Sequence, residues 1–154
     1  MPNRRPHKFV LGHFELGGGT KMMLVKNPAG CNQVLEFLEN IKEDFALVCC
    51  LNAHAGDGTD ISWIWDTDFE KLSESGIKLK ALVASGERAQ DMRVRLKYSG
   101  IPDENIIVEQ DYEKLVKWMS GQDMPVYIIP TYTAMLELRR VIVKNVGGSE
   151  FWEG

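Results

Sequence analysis

Residues 56–70 read GDGTDISWIWDTDFE, placing Asp57, Asp60, Asp66 and Asp68 around Trp63 and Trp65 in one glycine-containing stretch. Carboxylates ligate cations, cap helices and orient a catalytic histidine, and tryptophan is enriched at binding hot spots. A calcium loop needs a D-x-D-x-D-G order with glutamate at the twelfth position. DGTDISWIWDTD lacks that order, and no metal site is assigned. Asp57-Gly58 suits a turn, and Asp66 or Thr67 suits the cap of a short helix DFEKL, with Glu70 as capping-box partner of Thr67. These roles leave the tryptophans unexplained. In an extended segment Trp63 and Trp65 project on one side, either into the core or toward a partner.

Other chemistry-bearing groups are less specific. CCLNAHAGD brings Cys, His and Asp close in sequence. A nucleophile elbow, however, needs small residues around the nucleophile at a sharp strand-to-helix turn, and Cys50 sits between Cys49 and Leu51 inside an apolar run. His54, just past that run, is open either to solvent or to a ligand. VKNPAG sets Lys26, Asn27 and the backbone of Ala29 and Gly30 at a helix start, which suits an anion, but it is not a G-x-x-x-x-G-K-[ST] phosphate loop. ASGERAQD sets Arg88 at another helix start, where it either takes a carboxylate or is simply solvated. In PTYT, Thr131 reads as an N-cap and Tyr132 is left over as a surface contact.

The elements that hold these loops follow from the apolar pattern. KMMLV, FALVCCL, KLKALVA, NIIVE and PVYIIP read as five strands. They alternate with four amphipathic helices in PAGCNQVLEFLENI, ERAQDMRVRLKYSG, YEKLVKWM and TYTAMLELRRVIV. In the first helix Val34, Leu35, Leu38 and Ile41 share a face; in the second, Ala89, Met92 and Leu96 do. Alternating βα units predict an α/β fold: a three-layer, Rossmann-like, mostly parallel sheet with helices on both faces. Ligands then sit outside the carboxyl ends of the strands, which selects loops 26–30, 52–66, 85–88 and 130–133. Residues 1–20, ending in the Gly-rich LGGGT, read as a tail or linker remnant before a domain at 21–154.

The chain of 154 residues suits one domain. With 18 Lys+Arg against 22 Asp+Glu the net charge is −4, with no basic stripe, which argues against a nucleic-acid partner. No apolar run has the roughly 18 residues that span a bilayer. Cys31, Cys49 and Cys50 are odd in number, the last two adjacent within one strand; this is reduced-thiol usage and predicts a cytoplasmic location.

LVKNPAG, DGTDISWIWDTDFE, SGERAQDMRVRLKYSGI and VYIIPTYTAMLELR together resemble the C-terminal domain of the Mur-ligase-like subunit of lipid II isoglutaminyl synthase. The resemblance runs from about Leu24 to Arg140 and implies a Mur ligase C-terminal fold. It also implies a two-subunit enzyme that amidates the α-carboxylate of D-glutamate in the lipid II stem peptide. In that family the Mur-like subunit uses ATP and Mg²⁺, and a GatD-like glutaminase subunit with Cys and His supplies ammonia. The glutaminase borrows its third acid from the Mur-like subunit's C-terminal domain. The resemblance places that acid at Asp66, with Asp60 second and Asp57 third, and makes Trp63 and Trp65 docking residues. By analogy Lys26, Asn27, Arg88 and Tyr132 line the substrate or nucleotide cleft. The family's phosphate loop and four-cysteine zinc ribbon are not among these 154 residues, so the chain is expected to be an excised domain or fragment, inactive alone, with nucleotide held elsewhere. The alternatives are a stand-alone Rossmann-like nucleotide- or anion-binding module and a cysteine amidohydrolase.

Overall fold

The computed structural model describes residues 12–146 and 150–152. Among them seven strands form one sheet: β1 (Gly12–Phe14), β2 (Thr20–Met22), β3 (Phe45–Cys50), β4 (Leu79–Ser85), β5 (Ile106–Val108), β6 (Val126–Pro130) and β7 (Glu150–Trp152). Their order is β5-β4-β3-β6-β2-β1-β7. The pairs from β5 through to β2 are parallel, whereas β1 is antiparallel to both β2 and β7. The helices are α1 (Pro28–Glu39), α2 (Ala89–Tyr98), α3 (Tyr112–Ser120) and α4 (Tyr132–Val146). This is the α/β architecture expected from the alternating pattern.

Period-two alternation builds two cores. Phe45, Leu47 and Cys49 of β3 point into a core shared with Val34, Leu35 and Leu38 of α1 and Met92 and Leu96 of α2. Ala46, Val48 and Cys50 point the other way, toward Leu115 and Met119 of α3 and Leu138 and Ile142 of α4. Adjacent cysteines thus belong to opposite layers, and β3 is buried at every position, as a strand covered on both faces must be. Burial pushes the Cys31 and Cys50 thiols up to about 12 and raises Cys49 as well, which removes the thiolate a cysteine hydrolase would need. A thiol reagent should therefore label none of the three cysteines in the native chain and all three in denaturant; rapid native labelling of Cys49 or Cys50 would restore the hydrolase reading.

The tail expectation for residues 1–20 is corrected where the structure describes them; residues 1–11 lie outside the described residues. Phe14 and Leu16 are buried in the α3–α4 core, and β1 extends the sheet. Their i, i+2 spacing was the strand signal. Gly17 has a positive φ of 58° and lies against the carbonyls of Met119 and Gln122, and Gly18 lies against the backbone of Met124, so these two glycines are packing residues, not linker.

The connection between β3 and β4 carries no α-helix. After a 3₁₀ turn at Ala55–Asp57 it descends the α1–α2 layer as two five-residue 3₁₀ segments, Ser62–Asp66 and Phe69–Ser73, with Ile64, Phe69 and Leu72 filling the place a helix would take.

Candidate functional site

Two groups of polar residues emerge. The first lies at the carboxyl ends of the strands. Because β4 and β5 run out from one side of β3 and β6 lies on the other, the chain reverses direction across the sheet between β3 and β6, the crevice where open α/β sheets take ligands. Asn52, 1% exposed, is its hub. Its backbone N–H donates to Thr131 Oγ1 at 3.0 Å. Its Nδ2 donates to Thr133 Oγ1 at 3.0 Å and Glu137 Oε1 at 3.2 Å, and its Oδ1 accepts from the Glu87 N–H at 2.8 Å. Gly86 (φ 88°) lets that loop press on Leu51, whose backbone would lie 2.5–2.9 Å from a Cβ there. His54 Nε2 meets Glu87 Oε2 at 2.9 Å. That hydrogen bond, aided by the charges of Glu87, Glu137 and Asp57, raises the imidazole pKa against a small opposing effect of desolvation.

Asp57 is fully committed here. It accepts from the Thr133 N–H at 2.7 Å, the Thr133 hydroxyl at 2.6 Å and the His54 N–H at 3.0 Å. It caps α4 from a distant loop, the role expected of Thr131, whose hydroxyl instead accepts from Asn52. Tyr132 is 45% exposed beside Gly56.

The second group lies on the α1–α2 layer. Arg95 is an arginine on the apolar face of α2, 3% exposed. Its Nε donates to the Ile64 carbonyl at 2.7 Å, and its Nη2 donates to the Thr67 carbonyl at 2.6 Å and Glu70 Oε1 at 2.9 Å. Its guanidinium also sits 5.2 Å from the Trp65 ring centroid and 5.4 Å from that of Phe69. One side chain thus ties three points of the descending segment, residues 64, 67 and 70, to α2. The expected capping box is absent: Thr67 donates its hydroxyl to the Trp63 carbonyl at 3.0 Å, and Glu70 turns to Arg95.

The 3₁₀ turn, rather than an extended strand, also separates the tryptophans. Trp63 packs on the core, whereas Trp65, 50% exposed, lies against Tyr98, 70% exposed, with centroids 6.0 Å apart. Asp66 is exposed beside this pair, and its carboxylate makes no hydrogen bond or ion pair among the described residues. Asp60 accepts from the Ser62 N–H at 2.8 Å, which lowers its pKa and holds the turn entering the 3₁₀ segment.

Of the other expected residues, Asn27 caps α1 through a 2.8 Å bond from the Gly30 N–H, and Arg88 pairs with Asp91 at 2.8 Å. Lys26 is exposed at the start of α1. The crevice therefore collects Asn27, Lys26, Arg88 and Tyr132 only at its rim, and its centre is acidic. Sequence reasoning missed Asn52, Glu87, Glu137 and Arg95; for Arg95 the signal was an arginine in register with Met92 and Leu96.

The Arg95 hydrogen bond holds the Glu70 carboxyl below its usual value, outweighing desolvation. A depressed carboxylate adds stability above its unfolded pKa and loses it as pH falls through the folded pKa. Glu70→Gln should thus cost less than about 1 kcal/mol at pH 7, because Glu70 is largely exposed, and nothing from this ion pair once the Glu70 carboxyl is protonated in both the folded and the unfolded chain. Urea unfolding at pH 7 and pH 3 checks this; an equal cost at both values contradicts it.

The sequence description "MurT ligase C-terminal" matches residues 24–135. The chain belongs to the MurT ligase C-terminal family. It is 38% identical over 125 residues, 80% of its length, to "Lipid II isoglutaminyl synthase (glutamine-hydrolyzing) subunit MurT" of Streptococcus pneumoniae R6. It is 37% identical over 128 residues, 82% of its length, to the protein of the same name in Staphylococcus aureus COL. In both, the match spans 28% of the relative, so this chain corresponds to about a quarter of each MurT subunit. The resemblance read from LVKNPAG, SWIWD and YTAMLELR is thereby borne out, and both groups of polar residues lie largely within the matched MurT C-terminal segment. Among the described residues no helix is long and apolar enough to cross a membrane.

Proposed function

We propose that this chain is the C-terminal domain of the Mur-ligase-like subunit of a glutamine-hydrolysing lipid II isoglutaminyl synthase, and that Asp66 is the acid it lends to the glutaminase subunit. The observation that carries the assignment within the loop is the state of its three carboxylates. Asp57 is saturated by three hydrogen bonds, Asp60 holds a turn, and Asp66 is exposed with no partner among the described residues. Beside it stand Trp65 and Tyr98, an exposed aromatic pair of the type that anchors interfaces.

In the complex the partner's cysteine thiol gives its proton to the partner's histidine and attacks the γ-amide carbon of glutamine. The imidazolium returns the proton to the departing ammonia, and water hydrolyses the thioester to glutamate. Asp66 accepts a hydrogen bond from the far ring nitrogen, fixing the tautomer and stabilising the imidazolium. Trp65 docks; Trp63 supports the turn from within. The ammonia attacks the D-glutamate α-carboxyl carbon of the stem peptide, whose carboxylate ATP bound by the remainder of the enzyme would activate as a phosphoryl ester, and phosphate leaves as the amide forms, with Lys26 and Tyr132 facing substrate.

ATP and Mg²⁺ belong to the remainder of the enzyme. The residues here do not fit a triphosphate: the first turns of α1, α3 and α4 are capped by Asn27, Asp111 and Asp57, and the crevice holds Glu87 and Glu137. No step of nucleotide chemistry is therefore assigned to this domain, which is inactive alone and works in the cytoplasm. The same acidity disfavours a stand-alone nucleotide-binding module.

The test is glutamine hydrolysis by the cognate glutaminase subunit with and without this chain. A saturable rise on adding the chain supports the proposal; unchanged hydrolysis without measurable binding refutes it.

A further inference from the structure

We propose that His54, Glu87 and Glu137 form a site for one divalent transition-metal ion of the Zn²⁺ class in the crevice between β3 and β6. One donor atom from each residue lies within 4.8 Å of the other two. The closest pair, His54 Nε2 and Glu87 Oε2, is 2.9 Å apart. With metal–ligand bonds of about 2.1 Å, neighbouring donors in an octahedral or tetrahedral shell are separated by roughly 3.0–3.4 Å. That pair already spans the edge of a coordination polyhedron, and Glu137 closes a face by rotation of solvent-accessible side chains.

The donors are held by a common frame. Asn52 bonds Glu137 through Nδ2 and the Glu87 backbone through Oδ1, and it lies two residues before His54. One buried amide therefore ties the Glu87 backbone to the Glu137 carboxylate, next to the segment that carries His54. Ligating carboxylates held by hydrogen bonds of this kind characterise built metal sites. The second, independent feature is charge and topology. Glu87, Glu137 and Asp57 gather around one imidazole at the switch point of the sheet, where a bound cation offsets their mutual repulsion. An imidazole with two carboxylates, leaving positions for water, suits Zn²⁺, Co²⁺ or Mn²⁺ better than the all-oxygen shells of Ca²⁺ and Mg²⁺.

The ion would tie the loop after β3 to the start of α2 and to α4. It is independent of the glutaminase reading, because Asp66 sits on the α1–α2 layer and takes no part in it.

The experiment is titration of the chelator-stripped chain with Co²⁺ and with Zn²⁺, read by Co²⁺ visible absorption, calorimetry and thermal melting. Expected are one Co²⁺ per chain, displacement by Zn²⁺, and a Tm rise of about 5–10 °C at a hundredfold excess over Kd. His54→Gln, Glu87→Gln and Glu137→Gln should each weaken binding at least tenfold while leaving the metal-free Tm within a few degrees of native. Glutamine keeps the hydrogen bonds of both glutamates, so a lost site is distinguishable from a lost fold. No saturable binding up to about 1 mM, or binding that all three substitutions leave intact, overturns the proposal.

Discussion

Arg95→Met should lower stability by about 3 kcal/mol, a fall in Tm of roughly 6–12 °C for a chain of this size. The direction is decided by what Arg95 touches. A buried ion pair replaced by an apolar residue often costs little, because both charges leave together. Here two of the three partners are the carbonyls of Ile64 and Thr67, which remain in place, lose the charged donor and keep only the backbone N–H groups of Thr67 (3.4 Å) and Phe69 (2.9 Å). Each hydrogen bond from a charged donor contributes about 1.5–3 kcal/mol, and the contacts with Trp65 and Phe69 are loosened as well. Lysine should restore less than half of the loss, since a single ammonium cannot reproduce the forked pattern. Urea unfolding followed by circular dichroism measures the cost; a loss below about 1 kcal/mol would mean that Ile64, Phe69 and Leu72, with the bonds to Asn32, Glu39 and Ser99, hold the descending segment without Arg95. The same substitution should weaken glutaminase activation beyond its effect on stability, because Asp66 and Trp65 ride on the segment that Arg95 pins.

Asp66→Asn should leave the fold unchanged and lower glutaminase activation by roughly 10³–10⁴-fold, the scale on which other triads suffer when the orienting acid becomes an amide. Asparagine keeps the shape, but it can present an N–H to the ring nitrogen and favour the wrong tautomer. Because the Asp66 carboxylate has no partner among the described residues, its replacement breaks no bond within them. Asp57→Asn should show the reverse signature, loss of stability from the weakened α4 cap, and Asp60→Asn a small effect on the turn. This division separates an acid that serves the fold from one that serves a partner.

The parallel strands and four helices were legible because each depends on local periodicity, and β3 could be read as doubly covered from its unbroken apolar run. β1 was hidden because Phe14 and Leu16 are a short signal beside a glycine run, and glycine reads as linker unless its packing partners, here the α3–β6 turn, are known. The 3₁₀ course of residues 62–73 was hidden for a different reason. Thr67 and Glu70 have the spacing of a capping box, and only the tertiary arrival of Arg95 withdraws Glu70 from it. Asp66, Trp65 and Asp57 were legible as candidates, whereas their ranking was not, since it rests on which carboxylate the fold consumes. Asn52 and Glu87 lay inside the strand-end loops 52–66 and 85–88, but neither could be joined to Glu137, because the three come from segments far apart in sequence that meet only when β3, β4 and β6 align.

The most direct measurement titrates the cognate glutaminase subunit with the native chain and with Asp66→Asn, reading Kd and the maximal rate of glutamine hydrolysis in the same experiment. Unchanged Kd with a maximal rate at least about a thousandfold lower is expected if Asp66 reaches the partner's histidine. An Asp66→Asn chain that binds and activates as well as the native one would contradict the claim that this domain completes the glutaminase site through Asp66.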